Sequence, residues 1–153
     1  MSEMDPLGAT RDLVERYGWA VRHVLAGRMP SEPPFSYTIG LSSRPHPELV
    51  IVGLPPDVAK AFLDIAVAMI DDGRTFVPGE MAHGLAGDDR PLAVIRVDDA
   101  HELSAVEEIY GSVNALQLVW PDSSGRFPWV VGYANAAEVQ PLLGSIPGAW
   151  RSS

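Results

Sequence analysis

Two short stretches of this chain hold the side chains best suited to chemistry. In Arg44-Pro-His-Pro-Glu48 two prolines restrain an otherwise mobile loop in which Glu48 can orient the imidazole of His46. In the second, Trp120, Pro121, Phe127 and Trp129 can wall Asp122 from water and shift its pKa. General acid–base catalysis needs one carboxylate in such an apolar setting, within hydrogen-bond reach of the proton it moves. His46, Glu48 and Asp122 are therefore the candidate catalytic residues, for a hydrolase or isomerase, provided the fold unites the two stretches. Tyr37, Arg44, Gln117, Trp120, Arg126 and Trp129 join His46 and Asp122 in a candidate ligand-binding face, with polar groups held at strand ends and aromatics excluding water. A structural reading stands beside each: Asp122 can bond the amides of its own turn, and tryptophans can serve as core.

Other reaction classes lack their residues. His23, His46, His83 and His101 show no zinc-ligand spacing and no H-E-x-x-H, so no metal site is expected. Without cysteine there is no thiol nucleophile, disulfide or cysteine-held zinc. No G-x-S-x-G or G-x-G-x-x-G occurs, and Asp122-Ser-Ser-Gly125 has no phosphate-binding loop to accompany it. The paired carboxylates Asp71-Asp72, Asp88-Asp89, Asp98-Asp99 and Glu107-Glu108 read as solvated surface. A net charge of −9 without clustered cations argues against nucleic acid, and the missing long apolar run argues against a membrane span. Together with the acidic start Met1-Ser-Glu-Met-Asp-Pro6, these features lead us to expect a cytoplasmic protein.

The elements that must position these residues can be read from periodicity. Residues 1–153 make one domain with a core of about 18–144. Asp5-Pro6 opens a helix to Tyr17, and Trp19 to Leu25 alternates as a strand. Gly27 to Pro34 is a surface loop, and strands are expected at Phe35–Gly40 and Glu48–Gly53. From Val58 to Ile70 apolar residues recur at helical spacing until Asp71-Asp72-Gly73. Pro78 to Arg90 reads as a long mobile loop, Pro91 to Val97 as a strand, and Ser104 with Glu107 as a capping box opening a short helix. Leu116–Trp120 and Phe127–Val131 read as a hairpin about the Asp122–Gly125 turn, and Ala136 to Leu143 as a last helical turn or two. The sum is an α+β fold: a mainly antiparallel, partly barrel-like sheet with one long helix and two or three short ones.

Several ordered motifs, Phe35-Ser-Tyr-Thr-Ile-Gly-Leu41, His46-Pro-Glu-Leu49, Gly53-Leu54, Gln117-Leu-Val-Trp-Pro-Asp122, Gly125-Arg-Phe-Pro-Trp129 and Gln140-Pro-Leu-Leu-Gly144, resemble the bacterial family named domain of unknown function 4262. That resemblance implies a small, stand-alone soluble protein and assigns no reaction. The strand, His-Pro loop, strand and helix between Tyr37 and Ile70 are also similar to flavin-reductase split barrels. This implies an alternative: an FMN-dependent oxidoreductase, a homodimer, with the phosphate near Ser42, Ser43 and Arg44. Our leading expectation is a domain that binds a small molecule or a protein partner through an aromatic and polar cleft, without a cofactor.

Overall fold

The computed structural model describes residues 6–86, 90–98 and 103–150. Helix α1 (Pro6–Tyr17) leads through Gly18 into strand β1 (Ala20–Val24). Strands β2 (Phe35–Ile39) and β3 (Glu48–Val52) follow, then the long helix α2 (Pro56–Asp71). The two-residue strand β4 (Met81–Ala82), β5 (Leu92–Arg96), helix α3 (Ser104–Tyr110) and β6 (Ala115–Val119) complete the regular structure. After β6 the described chain is irregular apart from 3-10 turns at Ala137–Val139 and Gly148–Trp150.

One sheet runs in the order β1-β2-β3-β6-β5-β4. β3 and β6 pair in parallel, with Leu49 beside Leu116, and the neighbouring pairings are antiparallel. Every residue of β3 and β6 is buried, which explains their nearly continuous apolar sequences: central strands covered on both faces have no solvent side to make polar. Ala59, Leu63, Ala66, Val67 and Ile70 of α2 cover one face, against Leu49, Ile51, Leu116 and Leu118. On the other face α3 covers Tyr37, Val50 and Val52, while Phe127 and Ile146 from the C-terminal segment meet Ala93, Ile95 and Val119. Full burial of one Leu or Ile side chain is worth about 1.5–3 kcal/mol, so this two-sided covering of the central pair dominates the cohesion of the sheet.

The α+β expectation stands, but the sheet is open: β1 and β4 end the strand order without meeting, so there is no barrel. Phe127–Val131 is not the second strand of a hairpin. The Asp122 carboxylate, not a neighbouring strand, takes up the backbone donors of this region and bends the chain into turns. The expected final helix contracts to Ala137–Val139, ahead of Pro141, which has no N–H to continue a helix. In the stretch expected to be a mobile loop, β4 pairs with β5, and Ala82 and Leu85 are buried. The capping box does not form, since α3 has no side-chain cap at its start. Asp5, Asp88-Asp89, Asp99 and His101 lie outside the described residues.

Across the β1–β2 pairing His23 Nδ1 lies 2.6 Å from the Ser36 hydroxyl. Burial lowers the His23 pKa below its ordinary 6.5, and the positive charge of Lys60 on α2 adds to this. Below that pH the unfolded chain therefore binds more protons than the folded one. The His23 contribution to stability is full above about pH 6.5 and is lost as pH falls through the window beneath. Urea midpoints should accordingly drop on going from about pH 7.5 to 5.5, and His23→Gln should reduce the size of that drop.

Candidate functional site

Glu48 opens the central strand β3 and is wholly inaccessible to solvent. A carboxylate there must find donors inside the protein, because its desolvation is otherwise far too costly. It finds five. Its Oε1 accepts from the Thr38 hydroxyl at 2.8 Å and the Leu41 N–H at 3.1 Å; its Oε2 accepts from the N–H groups of Gly40 (3.1 Å) and Ser42 (2.9 Å) and the Ser42 hydroxyl (2.6 Å). Thr38 completes the knot by accepting the Leu49 N–H at 2.9 Å. Glu48 thus ties the 40–42 turn to the sheet, a role that uses both its oxygens.

His46 is equally committed. Its Nδ1 meets the Pro47 carbonyl at 2.8 Å and its Nε2 accepts the Phe76 N–H at 3.0 Å, an arrangement that fixes the proton on Nδ1. Asp122 accepts from the Ser124 N–H and hydroxyl and the Arg126 N–H on Oδ1, and from the Ala134 N–H on Oδ2, at 2.7–2.9 Å. The Ser124 hydroxyl, then the Ala134, Arg126 and Ser124 amides, hold its carboxyl well below the usual range, against the opposing effect of burial. A carboxyl stabilised as its anion in this way is the reverse of a general acid poised near neutrality.

The two stretches do not share a cleft. Glu48 is level with Ala115 where β3 and β6 begin, whereas the Trp120 indole N–H donates to the Val52 carbonyl at their far end. Glu48 and Val52 are four residue steps apart along β3, roughly 13 Å at about 3.3 Å each. Trp19 and Trp120 pack on the α2 face, while Tyr37 and Trp129 lie on the opposite face in separate clusters. Burial raises the Tyr37 pKa, and its hydroxyl accepts the Ala105 N–H at 3.3 Å. Arg44 donates to Asp71 and to the Gly18 carbonyl, both at 2.8 Å. Trp129 is the middle of a stack with Phe127 at 5.2 Å and Trp150 at 5.4 Å. Arg126 is exposed, with a 3.1 Å bond to the Ser124 hydroxyl.

Two glutamines bind the C-terminal segment to β6. Gln117 donates to the Pro141 carbonyl (3.0 Å) and accepts the Leu143 N–H (2.8 Å); Gln140 reciprocates, accepting the Trp120 N–H (2.9 Å) and donating to the Trp120 carbonyl (2.8 Å). Each side-chain amide acts as a piece of strand. Gly53 allows the close approach: at φ +91°, a Cβ there would stand 2.2 Å from the Val139 carbonyl oxygen.

This clamping leaves a cavity of about 330 Å³ at the end of the sheet where β1 and β3 finish and β2 begins. Val52 and Leu103, both buried, form its floor, with Val24 and Phe35 beside them. Pro141 and Leu143 close one side, and the exposed residues Leu25, Gly27, Ser31 and Glu32 form the rim. Sequence reasoning took 27–34 as a plain surface loop. Leu25, expected in the strand, instead stands one residue beyond β1 with its side chain 73% exposed. Among the described residues no three His, Asp or Glu side chains gather as metal ligands, and no helix is long and apolar enough to cross a membrane.

In comparison with known proteins, the family model described as Domain of unknown function (DUF4262) matches residues 13–134. No curated protein and no solved structure matches the chain.

Two measurements check the structural roles of the carboxylates. Glu48→Gln keeps the shape but turns one acceptor into a donor facing backbone N–H groups, and should cost about 3 kcal/mol in chemical denaturation. Because the Asp122 pKa is depressed, its contribution is present above its ordinary value of 3.8 and is lost as pH falls below that. Asp122→Asn should therefore lower stability at neutral pH and flatten the acid limb of the stability–pH curve.

Proposed function

The chain belongs to the DUF4262 family, whose description names no reaction, and from that premise we propose that it is a non-catalytic binding module that takes an apolar small molecule into the cavity beneath the 25–34 loop. The cavity is the observation that carries this reading. At about 330 Å³ it falls at the small end of the range for small-molecule sites, and its walls are mostly apolar side chains. His46 does border a hollow of about 470 Å³, but before His46, Glu48 or Asp122 could move a proton, each would have to give up a bond that holds the fold.

The flavin alternative draws less support. Ser42 and Ser43 already bond Glu48 and the Gly40 carbonyl, and Arg44 bonds Asp71. A phosphate placed there would also face the Glu48 carboxylate at close range, a like-charge contact that weakens binding.

Titration with octan-1-ol should shift the methyl resonances of Val24, Val52, Leu103 and Leu143 saturably and leave Val67, on the opposite face, unmoved. Each buried methylene contributes about 0.8 kcal/mol, so hexan-1-ol should bind roughly tenfold more weakly. Leu143→Trp, which fills the cavity, should abolish the response while unfolding stays cooperative. Shifts that never saturate, or that spread evenly over both faces, would defeat the proposal.

A further inference from the structure

The cavity carries one charged side chain, and its surroundings are built to keep it there. Glu32 stands on the rim, and no Lys or Arg lines the space. Its chain segment is closed by backbone bonds from the Gly27 N–H to the Glu32 carbonyl (2.8 Å) and from the Glu32 N–H to the Met29 carbonyl (2.9 Å). The side chain then folds back over residue 27. A Cβ on Gly27 would stand 2.7 Å from Glu32 Oε1 and 2.8 Å from Glu32 Cβ, so only glycine leaves room for that conformation. The carboxylate is half used: Oε1 accepts the Met29 N–H at 3.1 Å, and among the described residues no donor reaches Oε2. This sets Glu32 apart from Glu48 and Asp122, whose carboxylates have protein donors on both oxygens.

Resting on the binding role proposed above, we infer that this site selects a cationic amphiphile: a primary or substituted ammonium carried on an apolar body of a few carbons. The tail fills the space between Val24, Phe35, Val52, Leu103 and Leu143, and the ammonium N–H donates to Glu32 Oε2 at the rim. A carboxylate or phosphate head would meet the Glu32 charge with no cation in the lining to offset it. The rim is open to solvent, so the ion pair is worth little by itself, and the preference it generates is modest and salt-dependent.

Octylamine, octan-1-ol and octanoate share a tail and differ in head charge, so their titrations by methyl NMR at low ionic strength isolate the head. The amine, protonated at neutral pH, should bind about fivefold tighter than the alcohol and the octanoate most weakly of the three, with the spread narrowing as salt is raised towards 1 M. Glu32→Gln keeps an acceptor for the Met29 N–H and removes the charge. It should close the roughly fivefold gap between amine and alcohol, chiefly by weakening the amine. Gly27→Ala, which displaces the Glu32 side chain, should act in the same direction. Equal binding of amine and alcohol by the unaltered protein, or a preference that survives Glu32→Gln, would overturn the charge selection while leaving apolar binding intact. Failure of all three compounds to bind would remove the cavity reading, and this inference with it.

Discussion

The structure depends on a single requirement: polar side chains placed in a sheet covered on both faces must be satisfied from within. β3 and β6 supply Glu48 and Gln117 to that interior, and neither reaches solvent. An unsatisfied amide or carboxylate there costs several kcal/mol, comparable with much of the stability of a small domain. Each therefore recruits backbone from an irregular neighbour, and among the described residues no buried side-chain nitrogen or oxygen is left without a partner. Irregular segments gain fixed positions from this, and the strands gain closed ends.

The same logic accounts for the chain after β6. A segment with almost no regular structure cannot satisfy its own backbone, yet 127–146 packs against the sheet through Phe127, Leu142 and Ile146. Asp122 collects the amides of Ser124, Arg126 and Ala134, Gln140 takes both backbone groups of Trp120, and Gln117 takes those of Pro141 and Leu143. Side-chain amides and a carboxylate thus replace the ladder that a second hairpin strand would have supplied. Stacking of Phe127, Trp129 and Trp150 adds the apolar contribution, since aromatic pairs at such spacings contribute about 0.5–1.5 kcal/mol beyond their buried area.

The functional reading is shaped by what this satisfaction leaves over. Side chains that look chemically active in isolation, His46, Glu48 and Asp122, are the ones the fold uses most completely. A cavity remains where a tight loop, three strand ends and a clamped segment meet without filling the space, and beside it stands a carboxylate with an oxygen to spare. Apolar walls with one charged side chain at the rim are the basis of the binding role proposed above.

Local patterning was enough to place the helices and most strands. Alternation marked β1, β-branched and aromatic residues marked β2, and helical spacing marked α2 to within two residues at its start, because each signal arises from how a short segment meets one apolar face. The ordered motifs from Phe35 to Gly144 likewise pointed to the family. The sequence alone could not say that β3 would lie parallel to β6, that the sheet would stay open, or that the His46 and Trp120 stretches would stand at opposite ends of the central pair. The turn-amide role of Asp122 was legible and holds for Ser124 and Arg126, but the sequence could not show that Asp122 also reaches the Ala134 N–H, that Glu48 gathers the N–H groups of 40–42, or that Leu25 and Glu32 border a cavity. Those are matters of how separate segments meet, whatever their distance along the chain. They depend on strand order and on which buried group reaches which backbone atom, and that choice is made only when the whole sheet assembles.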